Sequence, residues 1–437
     1  MPSSAVDIAA DSGLRRRHHR QGKALRAVTA ETDNQPSRSS IRGLDWFVFF
    51  LADVQTGFGP FIAVYLTTMK WTQVEIGMIL SVNGFIALLG QMPGGALVDW
   101  ARSERLLAGM AVAVIGVCAA AYATFPIFPV VLAAAVLHAA ASCVLGPAVA
   151  AISLGLVGRP GMGPRLGRNA RFASLGSGIT AAAMGATGYL FSSRSVFIVT
   201  VALAVPTLIA LSYIRAAEID PDRAHGAGVV DTPKKTKITA LAFNRPLLTF
   251  ALIIGLFQLA NAAMLPLVAS AMTARSGSWA PALIGACMVI PTLVVAAISP
   301  SIGRGAHRWG RRPFLLIGIA AVVIRGVFFA FVRDPLPVIV VQVMDGLTAA
   351  IIGVLLPLTI VDVTYGTGHF NLAQGVVGTA TGLGASISTL FAGYLTDRFG
   401  SEWAFLSLAA VAMLALLLIV VAMPETRPER DLQPVPT

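Results

Sequence analysis

GRGAHRWGRRPF, residues 303–314, places four arginines and a histidine in twelve residues between two long apolar runs. The 437-residue chain around it is 56% hydrophobic and only 12% charged, about half the charge of a soluble domain. A hydrocarbon core needs roughly 20 apolar residues per helix. Twelve such runs are legible, at about 44–69, 75–98, 106–125, 129–156, 172–191, 196–215, 246–272, 281–302, 313–333, 336–360, 374–396 and 403–422. Their length and lack of alternating polarity predict helices rather than the short alternating strands of a barrel. The expected fold is all-α and integral to the membrane.

The basic segments then fix an orientation. With the amino terminus in the cytoplasm, 26 Lys and Arg fall inside and five outside: Lys70, Arg194, Arg275, Arg333 and Arg398. The positive-inside rule therefore puts both termini in the cytoplasm and makes 303–314 a cytoplasmic turn. In a bacterial cell this is the inner (plasma) membrane. The net charge of +11 is largely topological. Residues 1–43, with RRRHHR at 15–20, contain no apolar segment of the signal-peptide kind and are expected to form a disordered cytoplasmic tail. Basic tails beside membrane spans serve topology and anionic lipid contact, so no nucleic-acid partner is expected. Cys118, Cys143 and Cys287 lie inside the runs without metal-ligand spacing and are read as small apolar residues; no metal or cofactor is expected.

Sliding the chain on itself by about 206 residues aligns Pro60 with Pro266, Gly95-to-Asp99 with Gly303-to-His307, and Gly188-Tyr-Leu with Gly393-Tyr-Leu. That is the trace of two homologous halves: six-helix bundles over 44–215 and 246–422, a linker over 216–245 and a cytoplasmic tail over 423–437. GGALVDWARSER (94–105), GRGAHRWGRRPF, GYLTDRFG (393–400) and PETR (424–427) resemble the loop signatures of the major facilitator superfamily of secondary transporters, over the whole of 44–422. The first copy keeps Asp99 but lacks the paired arginines, whereas the second keeps Gly310, Arg311 and Arg312 with His307 in place of aspartate. The resemblance implies a cytoplasmic latch between the halves, built from Gly95, Asp99, Arg102 and Arg105 and from Gly303, His307, Arg311 and Arg312. Arg311 and Arg312 read equally as topological charge.

Ionisable side chains inside spans are costly and mark functional sites. Asp53 lies in the first run, followed by Gln55 and Thr56; His138 lies in the fourth, Arg325 in the ninth and Asp345 in the tenth. His138 and Asp345 occupy equivalent positions of the repeat and are expected to face one cavity. In the resembling transporters helices 1, 4, 7 and 10 line the substrate path, which Gln258 and Asn261 on the seventh run fit. A carboxylate or imidazole there gains and loses a proton as its exposure alternates, the chemistry that proton coupling requires. Arg325 and Asp345 read equally as a static ion pair, and His138 as hydrogen-bonded to a neighbouring carbonyl. Asp53, for which the sequence suggests no partner, is the first candidate for coupling or substrate contact.

No phosphate-cradling loop, GxSxG or HExxH occurs, so the chain is expected not to be an enzyme and to draw on gradients. The expected function is proton-linked export of a small neutral or cationic organic compound by a monomer. Uptake of a metabolite or metal chelate is the alternative, and a non-transporting sensor on the same fold is the alternative of another class.

Overall fold

The computed structural model describes residues 36–56, 62, 65, 66, 68–192, 194–226, 244–268, 280–332 and 334–426. Among the described residues there is no strand. The helices are α1 (Arg38–Thr56), α2 (Gln73–Leu89), α3 (Gln91–Trp100), α4 (Glu104–Thr124), α5 (Phe128–Leu190), α6 (Ser195–Ser212), a short α7 (Pro221–Ala224), α8 (Arg245–Asn261), α9 (Ala280–Trp309), α10 (Arg312–Phe331), α11 (Pro335–Thr364), α12 (Phe370–Phe399) and α13 (Ser401–Ala422). Nine of the described helices are long and apolar enough to cross a membrane, and a tenth span arises if α2 and α3, bent by 49°, act together.

Local chemistry sets several starts. Thr72 accepts from the Glu75 amide while the Glu75 carboxylate accepts from the Thr72 amide, a capping box opening α2. Ser103 caps α4 and Asn244 caps α8, where Pro246 follows at the first turn, a position that needs no amide hydrogen.

Two boundaries differ from the sequence expectation. α1 begins at Arg38, six residues inside the segment read as tail. The expected loop over 157–171 is helical: α5 departs from helical geometry only at Gly158 (φ 64°, ψ 177°). That left-handed φ suits glycine alone, and Pro160 opens the second limb where proline is tolerated. Arg159, Arg165, Arg168 and Arg171 therefore ride on a helix. In the expected linker, Asp220 caps α7, and residues 227–243 lie outside the described residues.

The buried apolar side chains form two clusters. One is drawn from residues 44–224 and centres on Tyr65, Tyr122 and Phe197, with the Tyr65 hydroxyl donating to the Tyr122 carbonyl at 2.8 Å. The other is drawn from residues 247–423 and is joined by Ala150, Leu154, Met162 and Leu166 of α5, so α5 reaches across from one cluster to the other. Large apolar side chains also point outward, among them Val421, Phe191 and Leu390, as expected of a surface solvated by lipid.

Candidate functional site

Two junctions join the first half of the chain to the second at the end of the bundle that carries Arg102, Arg304 and Arg308, here termed the basic end. At the first, α3 meets the start of α12. α12 has no side-chain cap of its own, and its orphan amides are satisfied by groups from other elements. The Phe370 amide donates to the His225 carbonyl (3.3 Å). Asp99 takes the next two: Oδ1 accepts from the Asn371 amide (3.2 Å) and Oδ2 from the Leu372 amide (2.8 Å). Asn371 Nδ2 adds a third bond to Asp99 Oδ1 at 2.9 Å. Asp99 thus acts as an N-cap supplied from the other half, where a carboxylate also meets the positive end of the helix dipole.

Backbone contact makes this reach possible. A Cβ on Gly95 would fall 2.1 Å from the Asn371 carbonyl oxygen, and one on Gly375 would fall 2.3 Å from that of Gln91. The start of the linker closes the same corner. His225 Nε2 lies 3.0 Å from Glu104 Oε1, and the Gly366 amide donates to the Gly226 carbonyl at 2.8 Å.

The second junction pairs α9 with the second limb of α5. A Cβ on Gly303 would lie 2.3 Å from the Gly163 carbonyl oxygen, and one on Gly167 would lie 2.4 Å from that of Ser299. Here the carboxylate is Asp362 of α11, fully buried between Arg159 Nε (2.9 Å) and Arg311 Nε (2.8 Å). Arg159 comes from the first half and Arg311 from the second, so one carboxylate clamps both. His307, at the repeat position of Asp99, does not supply the charge.

The remaining residues of the expected latch divide. Arg105 donates to the Ile214 carbonyl (2.6 Å), within its own half, and Arg102 is exposed. Arg312 donates from its side chain to the Val420 carbonyl, and the Arg311 and Arg312 amides donate to Glu425 at 2.8 and 3.1 Å. The side-chain bonds of Arg105 and Arg312 stay within their own halves.

Between the junctions and the bundle middle lies a cavity of ≈ 550 Å³ lined from both halves, by α1, α5, α9, α11 and α12. Its polar groups are Asn169, Ser174, Ser177, Thr292 and Gln374; Ser174 Oγ also donates to the Thr292 carbonyl at 2.7 Å, across the halves. His138, Gln258, Asn261, Arg325 and Asp345 are not among the described residues lining this cavity. His138 is buried on α5. Arg325 is buried between helices: it contacts Asp345 and Asn261, lies 3.4 Å from Met264 Sδ and sits over the Phe329 ring at 5.9 Å. A guanidinium with that many partners ties α8, α10 and α11 together. Gln258 is half-buried. Asp53, Gln55 and Thr56 belong to α1, next to the cavity-lining Ala52, and their side chains lie outside the described residues.

The sequence reading also missed a third charged cluster. Asp45 of α1 receives Arg165 Nη2 at 2.6 Å and Arg168 Nε at 2.8 Å, while Arg165 Nε donates to Asn169 Oδ1 at 2.7 Å.

A buried carboxylate shared by two guanidiniums is costly to remove, because Arg311, 1% exposed, would be left as an uncompensated charge. Asp362→Ala should destabilise the fold by about 3–5 kcal/mol, read as a clear fall in melting temperature in detergent. An unchanged melting temperature would show that the clamp contributes little.

Helices this long and apolar, meeting through buried polar contacts at one end, define an integral membrane protein of the helical-bundle class. The chain belongs to the Major Facilitator Superfamily, whose family model matches residues 46–275 and 251–435, and it is an MFS-type transporter. An uncharacterized MFS-type transporter of Mycobacterium tuberculosis, present in two strains, is 40% identical over 392 residues, covering 88% of this chain and 93% of the relative. Among solved structures, the proton:xylose symporter XylE shares the fold with a TM-score of 0.68 at 13% identity, over 89% of this chain and 96% of that one. The human organic anion transporter MFSD10 does so with a TM-score of 0.61 at 15% identity, over 87% and 98%.

Proposed function

We propose that this protein is a proton-coupled secondary transporter that exports a small neutral or cationic organic compound by alternating access. It has twelve spans in two six-helix bundles, with both termini in the cytoplasm. The observation that carries the reading is the capping of α12 by Asp99 from the other half. A helix N-terminus whose cap belongs to a separate bundle is satisfied in one arrangement of the bundles and orphaned in another, so the contact has two states by construction. On this reading the structure is the form closed toward the cytoplasm. The cavity supports a weakly charged cargo, since its described polar lining is amide and hydroxyl.

The test is flux. Cells carrying the gene should accumulate less of a transported compound than cells without it, and proteoliposomes should move it uphill only when a pH gradient is imposed. Higher accumulation in cells would reverse the direction to uptake, and absence of flux across a broad compound panel would favour the sensor reading.

Topology is tested separately. The 26-to-5 charge imbalance predicts that a reporter active only outside the cytoplasm stays silent when fused after residue 437. Strong signal there would invert the arrangement.

A further inference from the structure

The basic end carries a second cavity, of ≈ 520 Å³, on the flank of the bundle between α1 and α6. It shares no lining residue with the central cavity. Arg38, Arg42, Trp46 and Phe50 recur at every fourth residue and form one face of α1. Pro206, Ile209 and Tyr213, on and just after α6, form the opposite wall. Gly43 makes the floor: its Cβ would lie 3.0 Å from the Ala210 carbonyl oxygen, so the two backbones touch beneath the groove. The start of α1 is anchored there as well, through Ser39 Oγ to the Tyr213 carbonyl (3.3 Å) and the Arg215 amide to Ser40 Oγ (3.0 Å).

The groove is graded in polarity. Arg38 and Arg42 are exposed at its mouth, and among the described residues no carboxylate lies within ion-pair distance of either. Further along, Trp46 is half exposed and stacks on Phe50 with ring centroids 5.9 Å apart. From Arg38 to Phe50 the helix rises about 18 Å, against roughly 15 Å for half the hydrocarbon thickness of a bilayer. Unneutralised cations at one end, an aromatic ring at the boundary and an apolar slot beyond match the profile of one lipid leaflet.

We propose that this groove binds one anionic phospholipid of the leaflet at the basic end. Its phosphate is held by Arg38 and Arg42, and an acyl chain lies along Trp46, Phe50, Pro206 and Ile209. The occupant follows from both halves of the groove. A free inorganic anion would leave the apolar slot empty, and a zwitterionic lipid brings an ammonium that opposes the two guanidiniums. Because α1 also contributes Val48, Leu51 and Ala52 to the central cavity, a bound lipid would steady a wall of the transport path.

Trp46 supplies the probe. The full-length protein is reconstituted in phosphatidylcholine bilayers with increasing fractions of either brominated phosphatidylglycerol or brominated phosphatidylcholine. The quenching that disappears in Trp46→Phe is taken as the Trp46 signal. Half-maximal quenching should need about a tenfold lower fraction of the anionic lipid. The double variant Arg38→Gln/Arg42→Gln should lose this preference, while Arg304→Gln, exposed at the same end, should keep it. Equal quenching by both lipids in the wild type, or a preference that survives the double variant, would overturn the proposal. So would a comparable loss in Arg304→Gln, which would mean general attraction to the basic end. Trp46 shielded from both lipids would show the groove filled by something else, such as residues 1–35, and would overturn it as well.

Discussion

Alanine at position 95 should prop the basic end open and slow transport by about tenfold or more. The side chain at 95 has nowhere to go: its Cβ would sit 2.1 Å from the Asn371 carbonyl oxygen, and a backbone atom cannot rotate aside. To restore ordinary contact, α3 and α12 must part by roughly 1 Å, and forced overpacking of this kind costs about 1–3 kcal/mol. The same separation stretches the Asp99 bonds to the Asn371 and Leu372 amides, now 3.2 and 2.8 Å, and an N-cap is worth about 0.5–2 kcal/mol. Both penalties fall only on the arrangement in which the junction is closed, so the population shifts away from it. A cysteine in place of Gln374, which lines the cavity, reports this shift. The native Cys118, Cys143 and Cys287 are buried and are replaced to clear the background. An impermeant maleimide applied from the basic side should label Gln374→Cys faster when Gly95→Ala is also present. Equal labelling rates with and without Gly95→Ala would mean that the α3–α12 contact does not open and close during the cycle. Asp99→Asn should also slow transport, because it loses the charge–dipole attraction of about 0.3–1 kcal/mol and keeps only one of the two oxygens that accept from the Asn371 and Leu372 amides.

How much of this was legible in the sequence depends on the range of the interaction involved. The all-helical membrane fold and the family follow from run length and short loop signatures, which are local properties, and the motif also names Asp99. The motif was a poorer guide at the second junction. There the aspartate position holds His307, and the carboxylate comes instead from Asp362, just past the end of the tenth apolar run, where a charge attracts no notice. Its partner Arg159 is 203 residues away, and no periodicity links the two. Arg159, Arg165 and Arg168 fall between the fourth and fifth apolar runs, where a loop is expected, whereas only Gly158 leaves the helix. Two of those arginines converge on Asp45. Glu425 was visible in PETR, but its use as an acceptor for the Arg311 and Arg312 amides depends on where α13 ends beside α10. Arg325 and Asp345 were correctly suspected as a pair, and the structure adds Asn261 to them. That addition changes the functional weighting. A carboxylate held by a guanidinium that also binds Asn261 reads as a tie between helices, so the coupling group of the proposed transport is sought on α1.

Asp53→Asn should abolish uphill, pH-driven transport while leaving downhill exchange of substrate measurable. A carboxylate at membrane depth is expensive to keep charged, and α1 carries Asp53 directly after Ala52, a lining residue of the cavity between the halves. A coupling group must bind its proton on one side of the membrane and release it on the other, so only a titratable side chain can do the work. Asparagine preserves the size and much of the hydrogen bonding of the neutral acid but cannot ionise. The variant therefore mimics the protonated state, which still allows the halves to exchange around the cargo. Asp53→Glu keeps the titratable group, displaced by one methylene, and should retain partial coupled activity. The measurement is substrate flux in proteoliposomes with and without an imposed pH gradient, alongside counterflow under equal pH, for wild type and both variants. Full coupling in wild type, exchange alone in Asp53→Asn and partial coupling in Asp53→Glu is the expected pattern. If Asp53→Asn still concentrates substrate against its gradient, Asp53 does not carry the proton, and His138, buried on α5 within the same half, becomes the next group to replace.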